Sequence, residues 1–373
     1  MTPRPLRIAA HNGALTYGGG EKWIVLLLQG LQARGHTAHL FCNGPEVAGR
    51  AKAEGVSASL GVLGGHAMLP HAWRFSRQLR RFRPDALLLS TFRKAWLGGM
   101  AGRWAGVPRV VSRIGLDTDL PGKHWTYRLA FCRWVDAVVV NADGIRRDAL
   151  SGLPGYPEER LATVYDGVRL RGPVPLCDEA RASLGLPAEL PLVGAVARLT
   201  AQKRLDRLLD ALALLPGAHV ALAGEGEAEG ALRARAQELG LEGRVHFLGY
   251  REDVQTVLGA LDVFVVTSER EGMANAMLEA MAAGVPVVST PVSGAAEALA
   301  PDREGRAPGL IVEPDARALA EALGGLLDVR AARLAMGAEG RRRAAARFGY
   351  EAMLDAWEGV LGGDAPARWH RGG

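Results

Sequence analysis

Glu271 and Glu279 stand eight residues apart in SEREGMANAMLEAMAAGVPVVST, Ser268 to Thr290, a stretch that leaves an apolar strand and enters an apolar helix. On one continuous helix they would lie about 80° out of phase. The residues instead predict Glu271 in the loop before a helix that opens near Ala274. Glu279 then falls two turns inside it, and Gly284, Val285 and Pro286 close it. The free amides of a helix N-terminus attract phosphate. Carboxylates beside such a site accept hydrogen bonds from sugar or ribose hydroxyls. An acidic residue there also complements the helix dipole, worth about 0.3–1 kcal/mol. That role suffices for Glu271 but not for a glutamate well inside an apolar helix.

ARLTAQKRLDRLLDAL, Ala197 to Leu212, supplies the opposite charge. Arg198 ends a strand, and Lys203 lies at the start of the next helix. A departing diphosphate gains negative charge, and two cations with helix amides stabilise it without a metal. Any one Arg or Lys is commonly a solvated loop cation; the strand-end position of Arg198 argues for function. Asp117-Thr118-Asp119 could hold a hard cation, but three residues make a weak motif and a solvated loop is expected. No metal site is therefore assigned. His11 ends the first strand and is a candidate acceptor residue, while His66, His71 and His124 show no metal spacing. Cys42 and Cys132 read as core thiols.

These residues need strands and helices to position them. Short apolar runs recur at Leu6–His11, Ala38–Cys42, Ala86–Leu89, Arg109–Ser112 and Ala137–Val140, and again at Leu192–Ala197, Val220–Ala223, Val245–Leu248, Val263–Val266 and Val285–Ser289. Amphipathic helices separate them. One carries Leu205, Leu208, Leu209, Leu212 and Leu215, and another follows Gly18, Gly19 and Gly20. Wholly apolar strands alternating with helices imply parallel sheets covered on both faces. The expected organisation is a first domain over 1–172 and a second over 173–346, joined through the Pro- and Gly-rich Arg171–Leu190 stretch. A terminal helix in 347–373 carries Tyr350, Leu354, Trp357 and Leu361 on one face. Ligands are expected beyond the carboxyl ends of the strands.

Net charge is +5, but residues 1–172 carry +12 and the remainder −7. The helix around Met68–Phe82 sets Arg74, Arg77, Arg80, Arg81 and Arg83 around an apolar face, with Trp73 off that face. Lys123–Trp134 is also basic and aromatic. A sheet-covering helix with a charged outer face accounts for the first segment alone. Together with the +12 half, the two segments suggest peripheral contact with an anionic membrane through residues 68–83 and 123–134. No nucleic-acid-binding motif is present, so nucleic acid is not an expected partner. No apolar run approaches the ~20 residues needed to cross a bilayer. The N-terminus reads as a strand, and three scattered cysteines suit a reducing compartment. A cytoplasmic location is expected, peripheral on the inner face of the membrane.

The E-x7-E block, the Arg-x4-Lys loop and Gly18-Gly19-x-Glu21 resemble family 4 of the retaining glycosyltransferases. GEGEAEG (Gly224–Gly230), VHFLGY (Val245–Tyr250) and YDGV (Tyr165–Val168) match the same family in the same order. The resemblance implies an α/β GT-B architecture of two facing Rossmann-like doubly wound domains, with the C-terminal helix returning to the first. It implies a UDP- or GDP-sugar as co-substrate, no other cofactor, and a saccharide or lipid-linked acceptor. By the same resemblance Glu279 holds ribose hydroxyls and Glu271 donor-sugar hydroxyls. The amides of Gly272, Met273, Ala274 and Asn275 face sugar and diphosphate, and Arg198 and Lys203 neutralise the diphosphate. Gly18, Gly19 and Gly20 close on donor or acceptor, and backbone at Tyr250 and Arg251 meets the base.

Three positions depart from the family, the first at Ser90, Thr91 and Phe92, where a histidine frequently follows the strand. Where members often carry a histidine, VVSRIG has Arg113, which either binds an anionic substrate group or pairs with an acidic neighbour. The usual Asn-Gly-Val is Asp166-Gly167-Val168, and an Asp accepts but cannot donate as an amide does. A GT-B epimerase or a phosphorylase is the nearest rival; a pyridoxal phosphorylase needs a Schiff-base lysine, and lysines are scarce. A glycoside hydrolase would hold two carboxyls roughly 5–9.5 Å apart across the scissile bond. Nothing in the chain places Glu271 and Glu279 so, and a hydrolase needs no phosphate-binding helix. A basic binding protein without catalysis is the rival of another class.

Overall fold

Runs such as Ala86–Leu89 and Ala137–Val140 are buried at every residue, because helices cover both faces of the sheets they join. The computed structural model describes residues 4–63, 68–91, 95–116, 131–170 and 177–364. Asp117, Asp119, Lys123–Ala130 of the basic-aromatic segment and residue 172, the expected domain boundary, lie outside them.

Among the described residues of the first unit, seven parallel strands run β1 (Arg7–Asn12), β2 (Thr37–Cys42), β3 (Ala58–Leu60), β4 (Ala86–Leu89), β5 (Arg109–Ile114), β6 (Ala137–Val140) and β7 (Leu161–Thr163). Their order is β3-β2-β1-β4-β5-β6-β7. Ala10 is in register with both Leu40 and Leu88, which makes β1 and β4 the neighbours at which the order reverses. The helices include α1 (Gly19–Ala33), α2 (Pro45–Ala53), α3 (Met68–Phe82), α4 (Ala95–Ala105) and α5 (Asp143–Gly152). Phe75 and Leu79 of α3 pack with Leu87, Leu89 and Phe131 in the core.

The second unit repeats the plan with β8 (Leu192–Val196), β9 (His219–Ala223), β10 (Val245–Gly249), β11 (Val263–Val266), β12 (Val287–Ser289) and β13 (Gly309–Ile311). All are parallel, in the order β10-β9-β8-β11-β12-β13, so this sheet reverses between β8 and β11. Its helices are α6 (Cys177–Leu184), α7 (Leu205–Ala213), α8 (Glu229–Glu238), α9 (Val254–Ala260), α10 (Asn275–Ala283), α11 (Ala295–Leu299), α12 (Ala316–Asp328) and α13 (Arg330–Arg347). Leu205, Leu208, Leu209 and Leu212 of α7 are buried against the sheet, as a helical period of 3.6 requires.

The described chain up to Asp166, together with Glu351 onward, packs as one unit, and Gly167–Tyr350 as the other. The first division thus falls before residue 172. Val168 is the reason: its amide donates to the Phe348 carbonyl (2.8 Å) and its carbonyl accepts from Tyr350 (3.1 Å), which ties it to the second unit. The last helix, α14 (Tyr350–Gly362), buries Trp357 edge-on to Trp23 of α1, ring centroids 5.4 Å apart. Glu358 of α14 accepts from Arg34 (2.9 Å) and contacts His36 (3.0 Å).

Candidate functional site

In the second unit the loops after β8 and β11 lie side by side where the strand order reverses, the place at which open parallel sheets bind ligands. Backbone and side chains stitch the two loops together. Glu269 N donates to the Gln202 carbonyl (2.9 Å), and Gln202 Nε2 to the Arg270 carbonyl (2.7 Å). Thr267 Oγ1 donates to the Lys203 carbonyl at 2.8 Å. Lys203 ends a short 3-10 turn, and Arg204 then adopts a left-handed conformation (φ 47°) before α7 begins. A non-glycine residue there is uncommon and is held by its surroundings.

This stitching brings Lys203 and Glu271 into an ion pair, Nζ on Oε1. Ser268 Oγ donates to the same oxygen at 2.9 Å, and Glu271 is only 9% exposed. Thr290, at the end of β12, donates from Oγ1 to the Ser268 carbonyl (2.8 Å) and so fixes the loop from the adjacent strand.

Helix α10 opens at Asn275, with Ala274 at its N-cap and no side chain capping its amides. Those amides, following Gly272 and Met273, suit an anion. Gly294 holds this entry: its amide donates to the Gly272 carbonyl (2.8 Å), and a Cβ there would come 2.5 Å from that carbonyl oxygen. Glu279 is half-buried and lies in the second turn of α10, nearer its start than the spacing suggested. The helix opens one residue after the expected Ala274.

Arg198 follows β8 and is exposed. Its loop is held against the one after β9, where Leu199 N donates to the Glu225 carbonyl (2.9 Å). Gly224 makes that approach possible at φ 135°, since a Cβ would sit 1.9 Å from the Ala197 carbonyl oxygen. Tyr250 is exposed after β10, with its amide 3.3 Å from Glu225 Oε1. The Arg251 guanidinium is engaged by Asp253, Nε to Oδ1 at 2.9 Å and Nη2 to Oδ2 at 2.7 Å.

In the first unit Gly19 and Gly20 open α1, Gly18 is its N-cap, and a Cβ at Gly19 or Gly20 would meet nothing within 4 Å. Packing therefore does not demand these glycines. Asn12 Nδ2, at the end of β1, lies 3.2 Å from both Glu21 Oε1 and Ser90 Oγ, so the β1/β4 reversal carries a polar cluster of its own. His11 joins it through its backbone carbonyl, which accepts from Ser90 Oγ (3.0 Å). It is 1% exposed, with Nε2 2.9 Å from the Gly61 carbonyl oxygen and its ring edge-on to Phe75. Its imidazole is thus engaged within the core of the first unit. Arg113 is likewise turned inward: Nη2 is 2.8 Å from each carboxylate oxygen of Asp166, and the guanidinium lies 3.8 Å from the centre of the Trp23 ring. Of its two expected roles, pairing with an acidic neighbour is the one found. Burial, with Glu21 nearby, pushes the Cys42 thiol up to about 12, in keeping with a core thiol.

Family models match both halves of the chain: Glycosyltransferase Family 4 over residues 17–171 and Glycosyl transferases group 1 over residues 177–343. A lipopolysaccharide core biosynthesis glycosyltransferase of Rhizobium meliloti is 33% identical over 283 residues, 76% of this chain and 77% of that one. This chain is a family 4 glycosyltransferase. Its fold is GT-B, shared with a glycosyltransferase of Rickettsia africae (TM-score 0.82, 17% identity, 96% of this chain and 99% of that one). An Anabaena protein solved in complex with UDP and glucose is equally similar (TM-score 0.82, 20% identity, 95% and 99% of the two chains).

Among the described residues of this glycosyltransferase no group of three His, Cys, Asp or Glu side chains could hold a metal, and no helix is long and apolar enough to cross a membrane. Sequence reasoning passed over Ser268, Thr290 and Gly294. The first two bound the very block it singled out, but the bond between them depends on β11 and β12 being neighbours, which spacing alone does not encode.

Proposed function

We propose that this glycosyltransferase uses a nucleotide-diphosphate sugar and transfers the sugar, with retention of configuration, to a saccharide or lipid-linked acceptor of cell-envelope glycan synthesis. The observation that carries this reading is the pair of half-buried Lys203 and buried Glu271 beside the start of α10, which no side chain caps. A lysine and the amides of a helix start suit a diphosphate, and a fixed carboxylate suits sugar hydroxyls. In the proposed mechanism Arg198 and Lys203 stabilise the leaving diphosphate in place of a metal. Glu271 holds donor hydroxyls, Glu279 the ribose, and the amides of Gly272–Asn275 the sugar and diphosphate. The backbone at Tyr250 and Arg251 meets the base, and the N-terminus of α1 at Gly18–Gly20 contacts a substrate. The acceptor attacks the same face of an oxocarbenium-like sugar as the diphosphate departs, and no side chain serves as a covalent nucleophile.

The Anabaena structure with UDP and glucose supports a UDP-sugar, with a GDP-sugar as the alternative. The Rhizobium relative's role in lipopolysaccharide core biosynthesis supports an envelope acceptor. Peripheral contact with an anionic membrane through 68–83 and 123–134 belongs to the same proposal. Thermal unfolding with UDP-glucose, UDP-N-acetylglucosamine, GDP-mannose and ADP-glucose tests the donor. One of them at 100 times its Kd should add ~2.7 kcal/mol of stability. No stabilisation by any of the four would overturn the donor assignment.

A further inference from the structure

We infer that Ser268 is a positioning residue for Glu271, holding the carboxylate in place when Lys203 turns to the diphosphate. The inference rests on the donor roles proposed above for Lys203 and Glu271. In the structure both donors converge on one oxygen, Lys203 Nζ and Ser268 Oγ on Glu271 Oε1, so Oε2 is the oxygen that meets a sugar hydroxyl. A lysine is a point charge on a flexible stem, and an arriving diphosphate competes for it. The serine cannot follow. It is 4% exposed, its carbonyl is pinned by Thr290 Oγ1 (2.8 Å), and its hydroxyl is within reach of the carboxylate at 2.9 Å. Once Lys203 leaves, Ser268 is the donor that remains on Oε1, and a charge-assisted bond of this kind fixes direction as well as energy. Glu271 then reaches the sugar already aimed.

The test uses the full-length protein and whichever of the four nucleotide sugars stabilises it most, reading both donor turnover and affinity for the free nucleoside diphosphate. Ser268→Ala should lower kcat/KM for the sugar donor about tenfold while leaving nucleoside-diphosphate affinity within about twofold of wild type, a margin well below one such bond. Ser268→Cys keeps the side-chain volume with a weak donor and should match the alanine variant; Ser268→Thr keeps the hydroxyl and should recover activity. In a Glu271→Gln background, Ser268→Ala should cost nothing more, because residues acting through one contact are not additive. Additive losses, or equal losses for nucleotide and nucleotide sugar, would overturn the role of Ser268. Full activity of Glu271→Gln itself would instead overturn the donor role of Glu271, and so would the absence of any stabilising sugar.

Discussion

Arg113 places Nη2 2.8 Å from both carboxylate oxygens of Asp166, so two of the positions that depart from the family pattern are each other's partner. Asn141 Nδ2 adds a third bond to Asp166 at 2.7 Å, and the Trp23 ring covers the guanidinium. The cluster joins Arg113 near the end of β5 to Asn141 just past β6 and to Asp166 beyond β7. Removing one member of a buried pair strands the other charge, which costs about 3–5 kcal/mol, whereas replacing both can be nearly neutral. Arg113→Met and Asp166→Asn should each destabilise the protein in urea unfolding, and the double variant should recover most of the loss. Additive destabilisation in the double variant would show that the two side chains contribute independently.

The roles proposed for Glu271 and Glu279 differ as their places do. Glu271 lies in the loop before α10 and Glu279 in its second turn. Glu271→Gln should chiefly damage use of the sugar, and Glu279→Gln should weaken free nucleotide and nucleotide sugar alike. Calorimetry with both ligands distinguishes them, and equal losses for both variants would contradict the assignment. Arg198→Ala, an exposed position, should leave the fold intact and lower turnover on the order of 10²–10³, the usual effect of losing one stabiliser of developing charge. Excess chelator should leave turnover unchanged; rescue of chelated enzyme by Mn²⁺ would point back to Asp117 and Asp119.

His219 and His246 face each other on β9 and β10, Nδ1 2.9 Å from Nε2, with stacked rings. Burial lowers both below the ordinary imidazole value, and for His219 the neighbouring His246 and Arg244 lower it further. With the folded value depressed, the unfolded chain binds more protons as pH falls through about 6.5, so acidification destabilises the fold. His219→Gln should flatten the dependence of the urea midpoint on pH between about 7.5 and 5. His39 is also lowered, by burial and by Lys52, and contributes the same slope to both proteins. An unchanged difference between the two proteins across that range would mean that the pair does not control it.

The legible parts of this chain were those written in local pattern. Ala86–Leu89 and Ala137–Val140 are buried along their whole length, so their apolar runs bound them without ambiguity. Lys203 and Glu271 were readable as opposite charges beside strand ends, because parallel sheets collect such loops at one rim. What was not legible depends on which strands are neighbours. The Arg113–Asp166 pair spans 53 residues and exists because β5, β6 and β7 are adjacent. His11 lies at a strand end, where a ligand contact is reasonable; the carbonyl of Gly61, just past β3, claims it instead. Thr290 needed the β11–β12 pairing before its hydroxyl could reach the Ser268 carbonyl.

The outer face of α3 offers the last prediction. Ala72, Phe75 and Leu79 are buried, which meets the demand of a sheet-covering helix. Met68, Leu69 and Trp73 are left exposed, with Trp73 52% accessible among Arg74, Arg77 and Arg81. Arg77 lies 5.0 Å from the centre of the Trp73 ring, and exposed Leu60 is drawn beside the helix by Gln78, whose Nε2 donates to its carbonyl (2.8 Å). Apolar side chains rimmed by arginine suit the headgroup region of an anionic bilayer. Each basic residue near such a surface contributes about 1 kcal/mol, and salt screens it. Arg80 holds the Trp104 carbonyl and should be left intact. Changing Arg74, Arg77 and Arg81 together to Glu should abolish flotation with phosphatidylserine or cardiolipin vesicles at low salt and spare nucleotide binding. Trp73→Ala should weaken flotation even where charge is unchanged. If the wild-type protein stays in the soluble fraction with anionic vesicles at low salt, the +12 of the first 172 residues serves a charged soluble acceptor instead.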